Sequence, residues 1–105
     1  MKKSNKELGG TSFHGVTIRS TRRDLIDVIG EPDCLGDITD KTQYEWICET
    51  DAGDVFTIYD WKEYYSHDED VEIEWHIGAH SYIVSSQARY ELVYMLNNTL
   101  TLVNV

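Results

Sequence analysis

The chain reads as an α+β domain: an antiparallel sheet of about four strands with two helices packed on one face. Residues 43 to 49 and 71 to 77 alternate apolar and polar side chains, the two-residue period of a strand with one buried face. Residues 55 to 61, between them, are β-branched and aromatic throughout, as in a central strand covered on both sides. Helical patterns bracket this run of strands instead of alternating with it, which favours helices gathered on one face of an antiparallel sheet.

Each element follows from local chemistry. Residues 1 to 10 end in Gly9-Gly10 and carry little apolar content, so a flexible leader is expected, followed by a single domain over residues 11 to 105. Phe13, Val16 and Ile18 give a short extended segment. Ser20 and Thr21 are candidate helix N-caps, and Asp24 sits where a carboxylate suits the helix dipole. Leu25, Ile26, Val28 and Ile29 form the buried stripe of a short helix that Gly30 closes and Pro32 stops. Residues 33 to 41 read as a loop. In the first hairpin Tyr44, Trp46 and Cys48 alternate with Glu45, Ile47 and Glu49, and Asp51-Ala52-Gly53-Asp54 supplies the turn.

Residues 66 to 70 make a second connection. Val71, Ile73, Trp75 and Ile77 then point to the core, with Glu72, Glu74, His76 and Gly78 on the wet side. Residues 86 to 97, capped by Ser85 or Ser86, suit a second helix built on Ala88, Leu92, Val93, Met95 and Leu96. Residues 100 to 105 are expected as a last strand or an exposed apolar tail.

Charge is strongly segregated. Residues 31 to 74 hold fifteen acidic residues against Lys41 and Lys62, a net −13 in a chain of net −10. Residues 1 to 23 carry a net +5 from Lys2, Lys3, Lys6, Arg19, Arg22 and Arg23 against Glu7. The 41% hydrophobic content and ten Tyr and Trp residues exclude a wholly disordered acidic tail. No apolar run approaches the roughly 20 residues that span a bilayer, and the basic N-terminus leads into no signal core, so a cytoplasmic protein with no membrane partner is expected. Cys34, placed in a loop, and Cys48, in a strand, match neither a disulfide framework nor zinc-finger spacing.

The acids point to function. With the three central strands adjacent, Glu45, Glu49, Glu72 and Glu74 share one solvent face, and Asp51, Asp54, Asp60, Glu63, Asp68, Glu69 and Asp70 edge it. Carboxylates on alternate strand residues lie roughly 6.5 to 7 Å apart, the range of phosphate spacing along nucleic acid. Such a face repels nucleic acid directly and attracts the basic grooves nucleic acid occupies. Trp46, Trp61 and Trp75 as base-stacking platforms conflict with that charge, so Trp46 and Trp75 are assigned to the core. Tyr64 and Tyr65 are the candidate exposed anchors. His67, His76 and His80 lack an HExxH helix or any other strong metal spacing, and no nucleophile elbow, phosphate loop or dinucleotide fingerprint occurs. No catalytic residue, metal or cofactor is therefore assigned.

The run Ile58-Tyr59-Asp60-Trp61-Lys62, with Trp75-His76-Ile77-Gly78, Phe13-His14-Gly15 and Gly30-Glu31-Pro32, resembles a family of small acidic proteins encoded by phages and prophages. A helix leading into Gly-x-Pro and a Trp-bearing strand is also similar in topology to the β-lactamase-inhibitor-like fold. The phage resemblance implies a non-enzymatic inhibitor of a host defence complex, a CRISPR or restriction nuclease, in the manner of DNA-mimicking anti-CRISPR and anti-restriction proteins. Glu45, Glu49, Asp51, Asp54, Glu72 and Glu74 are its expected contacts, with Asp68, Glu69, Asp70, Tyr64 and Tyr65 alongside. The competing expectation is a homo-oligomeric phage assembly module, a homodimer in its simplest form, whose charge only keeps it soluble. Arginines 19, 22 and 23 folding across the carboxylates would erase the mimicry.

Overall fold

In the computed structural model, which describes residues 1–35, 42–61 and 68–103, one antiparallel sheet is covered on one face by two helices. The elements are β1 (Lys2–Lys3), β2 (Ser12–Thr21), α1 (Arg22–Ile29), β3 (Cys34–Leu35), β4 (Tyr44–Glu49), β5 (Val55–Tyr59), β6 (Glu72–Ala79) and α2 (Tyr82–Val103). The strand order is β1-β4-β5-β6-β2, and β3 lies end to end with β1 along the same edge of β4. The sheet is thus wider than the four strands expected. The extra members are the two-residue strands, which carry no readable pattern and exist because β4 offers them an edge.

The alternation assigns the faces. Trp46, Cys48, Phe56, Ile58, Trp75 and Ile77 are buried on the helix-covered side with Ile18, Leu25, Ala88 and Leu92. Trp46 and Trp75 meet edge to face with centroids 5.3 Å apart. Their ring nitrogens donate to the backbone carbonyls of Gly30 (2.8 Å) and Ser20 (2.9 Å), so both indoles are buried without losing a hydrogen bond. β5 is central, and Val55, Phe56, Thr57 and Ile58 are all buried. Asp60, which follows this strand, is buried and accepts from the backbone N–H of Gln43 (2.8 Å) and Tyr44 (2.9 Å).

α1 starts where the caps place it: Thr21 Oγ1 accepts from the Asp24 N–H at 3.0 Å. It stops at Gly30, whose φ of 100° suits glycine and whose N–H returns to the Ile26 carbonyl.

Four expectations are corrected. The leader is not free, because Lys2 and Lys3 pair with Glu49 and Cys48 and the Ser4 N–H donates to the Ile47 carbonyl. The short extended segment near Phe13 is a ten-residue strand, held by the full length of β6. Cys34 lies in β3, paired with Glu45, in place of a loop. The second helix begins four residues early and runs through residues 100 to 103, so no last strand forms there. Its start is set by Ser81, whose Oγ accepts from the Val84 N–H and whose carbonyl takes the Ser85 N–H. Once nucleated there, a helix carries Tyr, Ile, Val and Thr along, because their intrinsic penalty is only some tenths of a kcal/mol each. No described helix is long and apolar enough to cross a membrane.

Candidate partner-binding surface

Residues paired directly across antiparallel strands share a face, so the register writes out the open side of the sheet. One row runs Cys34, Glu45, Tyr59, His76, Thr17; the next runs Ile47, Thr57, Gly78, Phe13. Beyond the first row lie Trp61 and then the pairs Glu74–Arg19 and Glu72–Thr21, while Glu49 sits at the diagonally opposite corner beside Lys2 and Val55.

The middle of this face is aromatic. His76 is stacked on Phe13 with centroids 4.1 Å apart, faces Trp61 at 6.2 Å, and takes the edge of Tyr59 at 5.6 Å. Phe13 and Trp61 remain over 40% exposed in spite of these contacts. Three residues of β2, His14 to Val16, lie between Phe13 and Thr17 where β6 has only Ile77, and this bulge is the irregularity beside which Phe13 reaches the His76 ring. Gly78 keeps the centre flat, since a Cβ there would stand 2.8 Å from Thr57 Oγ1 and 3.4 Å from the Tyr59 ring.

Carboxylates surround this centre, and the predicted four do share the face. They do not form one array. Arg19 bonds Glu72 Oε1 at 3.0 Å and reaches Glu74 at 4.0 Å. Glu49 accepts from Ser4 Oγ (2.9 Å) and lies within 3.6 Å of Lys2 and Lys6. Glu45 has no ion-pair partner among the described residues; burial, reinforced by Asp33, raises its pKa. Burial likewise lowers the pKa of His76 against the opposing pull of Glu74, and raises that of Tyr59.

The remaining predicted acids are at the ends of the sheet. Asp51 and Asp54 belong to the β4–β5 turn, where the amino group of Met1 meets Asp51 (2.6 Å) and the buried Glu91 (3.1 Å). Asp68, Glu69 and Asp70 lie at the other end, leading into β6. Arg23 bonds both Glu69 and Asp70, and that bond holds the Asp70 carboxyl below its ordinary range. Two of the three arginines therefore do cross the carboxylates, and Arg22 instead lies 4.3 Å over the Tyr44 ring. Asp60 is interior rather than at the edge of the face. Tyr64, Tyr65, Glu63 and His67 fall outside the described residues.

The aromatic centre was not picked out as a site from the sequence. Its signal was there in part: Tyr59 and Trp61 share a strand parity, and His76 falls on the wet side of β6. Phe13 joins them only through the β2–β6 register, which local patterning does not contain. Among the described residues no three His, Cys, Asp or Glu side chains gather as a metal-binding group. Cys48 is buried, and burial pushes its thiol up to about 12, so it is no nucleophile near neutral pH. What the surface offers is contact: rigid, part-exposed rings framed by negative charge. Comparison with protein-family models, curated proteins and solved structures finds no match, so function is argued from this surface.

Proposed function

We propose that the protein is a non-enzymatic inhibitor that docks the open face of its sheet on a basic, nucleic-acid-binding groove of a host defence complex. The observation that carries this reading is the stacked Phe13–His76–Trp61 centre with Glu45, Glu72 and Glu74 around it. Aromatic rings supply affinity at the middle of an interface, and arginine side chains of a groove stack on them while meeting carboxylates at the rim. Net charge supplies the approach: at −10, the chain is drawn to positive potential.

The internal ion pairs narrow the mimicry without abolishing it. Arg19 serves two carboxylates and so does Arg23, leaving net negative charge at each cluster. Exposed pairs are worth about 0–1 kcal/mol, so a partner's arginines can exchange for them at little cost. The phage resemblance of the motifs supplies the class of target, a CRISPR or restriction nuclease.

The test is competition with nucleic acid on purified effector complexes, using wild type, a Glu45→Lys/Glu72→Lys/Glu74→Lys variant and Trp61→Ala. Wild type should displace DNA or RNA, less well as salt rises. Charge reversal should lower affinity by about a hundredfold or more, consistent with several groove contacts. Full inhibition by the triple variant would sink the reading.

A further inference from the structure

Between Arg89 and Glu91 the outward side of α2 carries no charge, in a chain of net −10. At 3.6 residues per turn, Ile83, Tyr90, Tyr94 and Asn97 align along the helix, with Tyr82 and Ser86 on one side and Gln87 and Asn98 on the other. Ile83 is 79% exposed, and Tyr82, Tyr90 and Tyr94 are each above 60%. These four are more than half of the exposed large hydrophobic residues of the described chain. The opposite side of the same helix buries Ser85, Ala88 and Leu92 against the sheet. A helix apolar on both sides has a second surface to cover.

The only charged residues of α2 are Arg89 and Glu91, and they mark the two margins of this stripe. Both are directed at the chain itself. Arg89 Nε donates to the Thr17 carbonyl at 2.9 Å. Glu91 accepts from the Asp51 N–H (3.0 Å) and from Gln87 Nε2 (2.9 Å).

We propose that this face is a homodimer interface, in which α2 packs on the α2 of a second copy. Charge chooses the occupant. A basic partner gains nothing from an uncharged stripe when the acidic open face is available, and an anionic membrane surface repels a chain of −10 whose only basic group there is Arg89, at the margin and tied to the Thr17 carbonyl. A second copy is repelled wherever the two acidic surfaces meet, and least where neither surface carries charge. Two-fold packing is self-complementary. With the helices antiparallel and Tyr90 near the axis, Ile83 of each copy faces Asn97 of the other, and tyrosine hydroxyls reach amides. The stripe is about 25 Å long, and such a contact falls near the low end of specific interfaces, which points to a Kd on the order of micromolar.

Salt separates this interface from the open face. Screening weakens attachment to a basic groove but relieves repulsion between like-charged copies, so the dimer should tighten several-fold as salt rises. Sedimentation equilibrium from about 1 to about 200 µM, at low and high salt, reads this directly. Wild type should pass from monomer to dimer, and Tyr90→Lys with Tyr94→Lys should remain monomeric with an unchanged circular dichroism spectrum. Tyr90→Cys in a Cys34→Ser background should form a disulfide-linked dimer under mild oxidation, and failure to do so counts against the proposal. A wild type that stays monomeric throughout, or a dimer that the lysine variants leave intact, overturns it. Neither result touches inhibition by the open face, which the groove competition reads separately.

Discussion

The two faces of the sheet use the same kinds of residue to opposite ends. On the covered face, Trp46 and Trp75 are sealed under α1 and α2 with their ring nitrogens satisfied by backbone carbonyls. On the open face, Trp61 and Phe13 stack on a histidine and stay in reach of solvent. Residue type therefore does not tell scaffold from surface here; strand parity and what covers each side do.

Substitutions of like residues on the two faces put this contrast to the test. Trp46→Ala should cost about 3–5 kcal/mol in urea unfolding, as a large cavity opens in the core. A loss under about 1 kcal/mol would mean that the covered face is not what holds the fold. Next in size, Gly78→Val should cost about 1–3 kcal/mol, because its Cβ meets Thr57 Oγ1 and the Tyr59 ring. Adding Thr57→Ala should recover part of that loss, and strict additivity of the two changes would argue against the close approach. Trp61→Ala should move stability by less than about 1 kcal/mol, while partner affinity falls at least tenfold if the ring is an anchor. A stability loss as large as that of Trp46→Ala would erase the distinction between the faces.

The smallest effect is one of pH. His76 has its pKa lowered from 6.5 in the fold, chiefly by burial. Between that lowered value and 6.5 the unfolded chain binds the extra proton, so this residue's contribution to stability is complete above 6.5 and declines as pH falls below it. His76→Gln should flatten that part of the stability profile. An NMR titration placing the His76 ring above 6.5 would reverse the sign.

Much of the sheet was legible because burial on one side imprints alternation. Tyr44 to Glu49 and Glu72 to Ile77 show it plainly, although Val71, read as core, is exposed just before β6. The apolar run of β5 marked a central strand, but one flanked by β4 and β6 with helices over a single face, not covered on both faces as read. Thr21, Asp24 and Gly30 spelled out α1. The misreadings have a common cause, which is that the deciding partner is distant in sequence. Lys2 and Lys3 become a strand only because Glu49 and Cys48 present an edge. Arg19 meets Glu72 across 53 positions, so counting charges along the chain located the acids but not their neutralisation. At the start of α2, Tyr82, Ile83 and Val84 have strand-like composition, and it is the Ser81 cap that settles them as helix.

The pairing of β2 with β6 also sets an order of events. Its partners lie between 51 residues apart, at Thr21 and Glu72, and 67 apart, at Ser12 and Ala79. Residues 12 to 21 are therefore synthesised long before the strand that receives them. The β4–β5 hairpin closes a short loop and can form early, whereas the longest strand of the sheet must wait for β6 to leave the ribosome. Until then its Val16 and Ile18 are exposed on an unpaired edge, and the window for misassembly during synthesis is set by the time it takes to translate about sixty codons, on the order of several seconds.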